Sequence, residues 1–111
     1  MKAKFKLWIE DEKGNQLLGG GLVKILESID RLGSINKASK ELKMSYRACW
    51  GKIKKMEERL GKSIVHTTIG GGKDRGATLT PEAKELLTSF YKFSDSVSAH
   101  IESTYKKIFK G

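Results

Sequence analysis

The stretch Ser34 to Gly61, SINKASKELKMSYRACWGKIKKMEERLG, constrains the fold more than any other, because it holds two short helical patterns separated by a turn of a few residues. In the second pattern Cys49, Ile53, Met56 and Leu60 recur at the four- and three-residue spacing that lines up one side of a helix. That side must face a core. In the first, Ile35, Ala38 and Leu42 form the apolar side, and the small Ala38 lets a second helix cross closely. Ser34 and Ser45 stand where N-caps belong, so the spacing predicts two helices joined by a tight turn, LKMS, which is the helix-turn-helix arrangement. Glycine, common in such a turn, is absent, and Met44 is expected to plug the core instead.

Rotated away from the buried seam lie Tyr46, Arg47, Trp50, Gly51 and Lys54, together at the N-terminal end of the second helix. Large aromatics beside cations on a solvated face need a partner to cover them. The major groove of DNA is about as wide as one helix; arginine pairs with a guanine edge there, and aromatic rings contact thymine methyls. Ser45, Tyr46, Arg47, Trp50 and Lys54 are therefore the expected base-reading residues. Lys37, Lys52, Lys55, Lys73 and Arg75 are expected to hold phosphates.

The charge supports a polyanionic partner. The 111 residues, the length of one domain with one core, carry 22 Lys and Arg against 13 Asp and Glu, a net charge of +9. Residues 34–80 hold eleven of the basic and four of the acidic groups, so most of the excess falls on the expected reading unit and the segment after it. An apolar content of 38% with nine aromatics argues for a folded rather than a disordered chain. No apolar run approaches the roughly 18 residues that cross a bilayer, and no secretion signal follows the N-terminal lysines. A cytoplasmic protein with no membrane partner is expected. Cys49, the single cysteine, falls on the buried seam, and His66 and His100 are far apart. No metal site, cofactor or catalytic set can be assembled from these residues, and an enzyme is not expected.

Around this centre the remaining chain divides readily. Lys4 to Ile9 alternates, with Phe5, Leu7 and Ile9 on one face, and predicts a strand; DEKGN is a turn and Gln16 to Leu18 the return strand of a hairpin. Gly19–Gly21 reads as a flexible joint before a helix carrying Leu22, Ile25, Leu26, Ile29 and Leu32 and ended by Gly33. Ile64 to Ile69 is rich in β-branched residues, GGGKDRG is a loop, and Ala77 to Leu79 returns as its partner; this is a wing over residues 64–79, with Lys73 and Arg75 at its tip. His66 is expected to be structural. Thr80 and Pro81 start a helix that no Pro or Gly interrupts up to Phe109. Ala83, Phe90 and Val97 recur every seven residues, as do Leu87, Ser94, Ile101 and Ile108. Such a helix is about 40 Å long, more than a small domain needs, so Leu87, Phe90, Val97, Ile101 and Ile108 are expected to dimerise.

The order hairpin, helix, helix-turn-helix, wing, long helix resembles the N-terminal DNA-binding domain of the ModE-type molybdate-responsive regulators, relatives of the LysR-type winged helix-turn-helix. The residues that carry the resemblance are Gly33-Ser34-Ile35, Ala38, Ser45-Tyr46-Arg47, Ala48, Trp50, the glycine-rich wing from Gly70 to Gly76, and Leu79-Thr80. Ser-Tyr-Arg with a Trp shortly after, then a glycine-rich wing, is the most specific part. The resemblance covers nearly the whole chain and implies dimerisation through the N-terminal part and the final helix, with a recognition helix that reads a palindromic operator. The molybdate-binding domains of that family have no counterpart in these 111 residues, so no molybdate response is expected of them.

The expectation is thus a single domain over residues 1–111, mainly α with small β elements: a winged helix-turn-helix with an N-terminal β-hairpin and a long dimerisation helix over 81–109. It binds double-stranded DNA as a homodimer, sequence-specifically, to regulate transcription. Two rivals use the same residues: a non-specific architectural or chromatin protein, and an adaptor in which Tyr46 and Trp50 grip another protein.

Overall fold

The computed structural model describes residues 1–68 and 76–109, over which eight elements follow one another: β1 (Ile9–Glu10), β2 (Gln16–Leu18), α1 (Gly20–Leu32), α2 (Ile35–Glu41), α3 (Tyr46–Leu60), β3 (Val65–Thr67), β4 (Ala77–Leu79) and α4 (Pro81–Ile108). The two pairs of strands form separate two-stranded antiparallel sheets. Helix α1 lies at the centre of the single core. Its Ile25, Leu26 and Ile29 are sealed from solvent and surrounded by Ile35 and Ala38 of α2, Cys49, Ile53 and Met56 of α3, Leu79 of β4, and Ala83, Leu87 and Phe90 of α4. Burying each such aliphatic side chain contributes about 1.5–3 kcal/mol, which is why the helix-turn-helix seam and the first turns of α4 are held against α1 rather than merely tethered to it.

The helix ends follow their local chemistry. Ser34 Oγ accepts a hydrogen bond from the Lys37 N–H at 3.1 Å, and Thr80 Oγ1 accepts one from Ala83 N–H at 3.1 Å while donating to the Ser63 carbonyl at 2.8 Å. Gly33 and Gly61 close α1 and α3 in the left-handed conformation, φ +68° and +66°, each donating its N–H back to the helix. The Gly33 carbonyl in turn accepts the Ala77 N–H at 2.8 Å, so the end of α1 also fastens the first residue of β4.

Two local expectations are corrected. The strand expected over Lys4 to Ile9 forms only at Ile9–Glu10, because its partner β2 is three residues long and the chain enters α1 immediately after it, leaving residues 4–8 no strand to pair with. The glycine run is no joint: Gly19 is the N-cap of α1, and Gly20 and Gly21 are its first two residues. Gly19 is packed so tightly that a Cβ there would sit 2.9 Å from the Trp8 Cβ, which explains a glycine at that position.

The turn between α2 and α3 solves its missing glycine by strain. Lys43 adopts φ +56°, the only non-glycine with positive φ among the described residues, while Met44 packs partly buried against the core and donates its N–H to the Ser39 carbonyl at 2.9 Å. A left-handed residue with a Cβ costs about 1–2 kcal/mol, and glycine's additional chain entropy returns part of that cost. Lys43→Gly should therefore raise the unfolding free energy by about 0.5–1 kcal/mol, read as a higher denaturant midpoint at an unchanged slope.

Helix α4 runs for 28 residues and contributes to a molecule 59 Å in its longest dimension. Leu87 and Phe90, expected to face a second chain, are taken up by this chain's own core. The stripe that continues past them is less covered: Ser94, Val97 and Ile101 are half-buried, and Ile108 and Phe109 remain 69% and 58% exposed. The extended N-terminal segment Met1–Phe5 lies beside this half of α4, bordering a hollow with Ser98, Ile101 and Tyr105.

Candidate nucleic-acid interface

The site is built on α3. Ser45, its N-cap, accepts a hydrogen bond from the Ala48 N–H at 3.0 Å, which satisfies one of the free donors of the first turn and fixes where the helix starts. With Cys49, Ile53 and Met56 buried, the 3.6-residue period turns Tyr46, Trp50 and Lys54 along one flank and sets Arg47 on the side opposite the core. Tyr46 is 49% and Trp50 43% exposed, and Arg47 and Lys54 are exposed beside them. The residues read as one group in the sequence do lie together on one open surface.

Within the group Lys54 is held. Its ammonium lies 5.4 Å from the centre of the Trp50 ring and 3.1 Å from Glu57 Oε1. Glu57 uses its other oxygen, Oε2, to accept the N–H groups of Ile64 at 2.7 Å and Val65 at 3.3 Å, so it joins α3 to the start of the β3–β4 hairpin. Burial is the largest influence on the Glu57 carboxyl and pushes its pKa up. The Ile64 N–H, the Lys54 ammonium and the Val65 N–H together outweigh it, and the net shift is downward. Sequence reasoning missed Glu57. An acid in so basic a helix, three residues after Lys54, was the available signal; the bonds to Ile64 and Val65 depend on chain reversal after Gly61 and have none.

The expected phosphate contacts are more dispersed. Lys37 is exposed at the start of α2, and Lys52 is exposed on α3. Lys55, also exposed, borders a hollow shared with Asp11, Glu12 and Lys13 of the first hairpin and with Glu58 and Arg59, where three cations and three acids line one surface. Arg59 reaches the same hairpin and donates to the Gln16 carbonyl at 2.8 Å. Strands β3 and β4 pair Val65 with Leu79, His66 with Thr78 and Thr67 with Ala77, and His66 is exposed there. Lys73 and Arg75 lie outside the described residues. Lys43, exposed in the strained turn just before Ser45, is a cation beside the reading end of α3 that the sequence did not single out.

Burial pushes the Cys49 thiol pKa up, which keeps it a neutral core residue. Among the described residues no group of three or more His, Cys, Asp or Glu is placed to hold a metal ion, and no helix is long and apolar enough to cross a membrane.

A buried helix-turn-helix seam with a two-stranded hairpin after it also has a match in sequence: residues 21–84 fit the family described as bacterial regulatory helix-turn-helix protein, lysR family. The chain belongs to the LysR family. That match takes in α2, α3 and both strands of the second hairpin. This LysR-family chain is 30% identical over 97 residues to the molybdenum-pterin-binding protein MopB of Rhodobacter capsulatus, covering 87% of the chain and 36% of that protein. It is 34% identical over 65 residues to the transcriptional regulator ModE of Haemophilus influenzae, covering 59% of the chain and 26% of that protein. The chain thus spans about a third or less of the curated relatives it matches. Among solved structures, the CbnR DNA-binding domain crystallised with DNA superposes with a TM-score of 0.61 at 16% identity, over 80% of this chain and 97% of that one. The BenM DNA-binding domain, crystallised with benA site 1 DNA, gives a TM-score of 0.57 at 21% identity, over 80% and 96%. The mainly helical winged helix-turn-helix read from the sequence is the fold these two DNA-binding domains share, and the resemblance to the ModE type is matched by relatives bearing that name.

Proposed function

We propose that this chain is a DNA-reading regulator of transcription that binds double-stranded DNA as a homodimer and prefers a two-fold symmetric site. The observation that carries this reading is the exposed face of Tyr46, Arg47, Trp50 and Lys54 on a helix whose opposite side is locked into the core by Cys49, Ile53 and Met56. Such a helix can enter a major groove without rearranging the protein, offering a forked cation for guanine and apolar rings for thymine methyls. Dimerisation is supported by the α4 stripe beyond Phe90, which this chain covers only in part. Lys37, Lys52, Lys55, Lys73 and Arg75 supply the phosphate contacts in this reading.

Selection of bound sites from a randomised duplex library, followed by competition with random-sequence DNA, tests it. A regulator recovers a common site and favours it by about 4–10 kcal/mol over random DNA. Equal binding of both points to a non-specific architectural protein, and no binding at low salt to a protein adaptor. Replacing Lys73 and Arg75 together by Ala should weaken all duplexes alike and reduce the slope of log affinity against log salt by about 2 per protomer; an unchanged slope removes the wing tip from the interface.

A further inference from the structure

Between Arg47 and Lys62 the chain carries six cations and two acids, Glu57 and Glu58. An acid on a surface that meets phosphates opposes binding, so its presence calls for a different role. Glu58 is exposed and faces the first hairpin across a hollow. The Glu57 side chain, only 14% exposed, has both oxygens engaged: Oε2 with the Ile64 and Val65 N–H groups and Oε1 with the Lys54 ammonium, which rests 5.4 Å from the Trp50 ring centre. The carboxylate is therefore anchored on the backbone of one element and directs a side chain on another.

We propose that Glu57 is a positioning residue for sequence reading: it holds Lys54 against Trp50, so that this lysine forms part of a fixed reading surface and is withheld from use as a free phosphate clamp. The inference rests on the reading that this face meets DNA. Two physical effects follow. Lys54 paired with Glu57 brings little net charge to the phosphates, so it adds little to the counterion release that strengthens binding to any sequence. A cation over one face of Trp50 favours one orientation of its ring, and a ring so held offers a defined apolar surface to a thymine methyl. Specificity is a difference of affinities, and withholding a non-specific contact raises it as surely as adding a specific one.

The test compares the selected duplex with a random-sequence duplex of equal length over a series of salt concentrations. Glu57→Gln keeps an oxygen for the Ile64 and Val65 N–H groups and frees Lys54. It should bind the random duplex more tightly than the wild type does, steepen the salt slope by about 0.9 per protomer, and lower the ratio of selected to random affinity. Lys54→Gln, which leaves both backbone bonds of Glu57 intact, should lower the same ratio with the salt slope on random DNA unchanged. An unaltered slope and ratio in Glu57→Gln, or a slope shallower by about 0.9 in Lys54→Gln with both duplexes weakened alike, overturns the proposal and leaves Glu57 a tie between helix and hairpin. Absence of any preferred site in the wild type would instead overturn the functional reading beneath it.

Discussion

A chain ended before Val97 should sediment as a monomer and bind a duplex with two half-sites about 10²–10⁴-fold more weakly than the intact chain. The expected loss is large because it removes linkage and not contacts: two reading helices on one dimer bind the second half-site intramolecularly, and a monomer does not. The cut leaves the fold in place. Ala83, Leu87 and Phe90, the α4 residues buried in the core, all lie before it, as does Thr80, which caps the helix and ties it to Ser63. What goes is the half-buried Val97, the half-buried Ile101, which borders a hollow with Met1–Phe5, and the exposed Ile108 and Phe109. A single half-site should bind the truncated and intact chains alike. An intact dimer after truncation would place the interface in the first hairpin and α1.

Arg47→Ala should cost about 1–3 kcal/mol on the preferred duplex, roughly 5–150-fold in affinity, and relax the preference at one base position. Arg47 is in the first turn of α3, exposed and directly opposite the buried seam, and it enters none of the ion pairs among the described residues. Its five donors are therefore available to a guanine edge, where a paired contact reads both O6 and N7. Profiling each variant against single-base substitutions of the selected site checks this. Equal losses on selected and random DNA would make Arg47 a phosphate contact.

The parts of this molecule that were legible in the sequence are those fixed by short-range chemistry. The seam of Cys49, Ile53 and Met56 announces both a helix and its buried side, and Ser34, Ser45 and Thr80 announce where helices begin, since a cap and the N–H it satisfies are three residues apart. The open face of Tyr46 and Trp50 followed from the same periodicity. What stayed illegible depends on partners distant in the chain. Residues 4–8 alternate like a strand, yet a strand exists only where another runs beside it, and β2 is too short to supply one. The heptads of α4 look uniform along its length, but α1 lies across only the first part, so Leu87 and Phe90 face a core and Val97 and Ile101 do not. Lys43 carries no mark of its left-handed backbone, because the turn geometry imposed by α2 and α3 overrides its own preference.

Gly33 concentrates two duties in a residue without a side chain: its N–H ends α1 on the Ile29 carbonyl, and its own carbonyl receives the N–H of Ala77, the first residue of β4. With φ at +68°, a side chain here bears a cost of about 1–2 kcal/mol, least for Asn or Asp, and any rotation of this peptide moves the carbonyl that receives the Ala77 N–H. A change at this point thus bears on two elements at once, the end of the central helix and the start of β4, though Gly33 itself lies outside α3. For a population of such chains under selection, tolerance at a position cannot be judged by its distance from the groove.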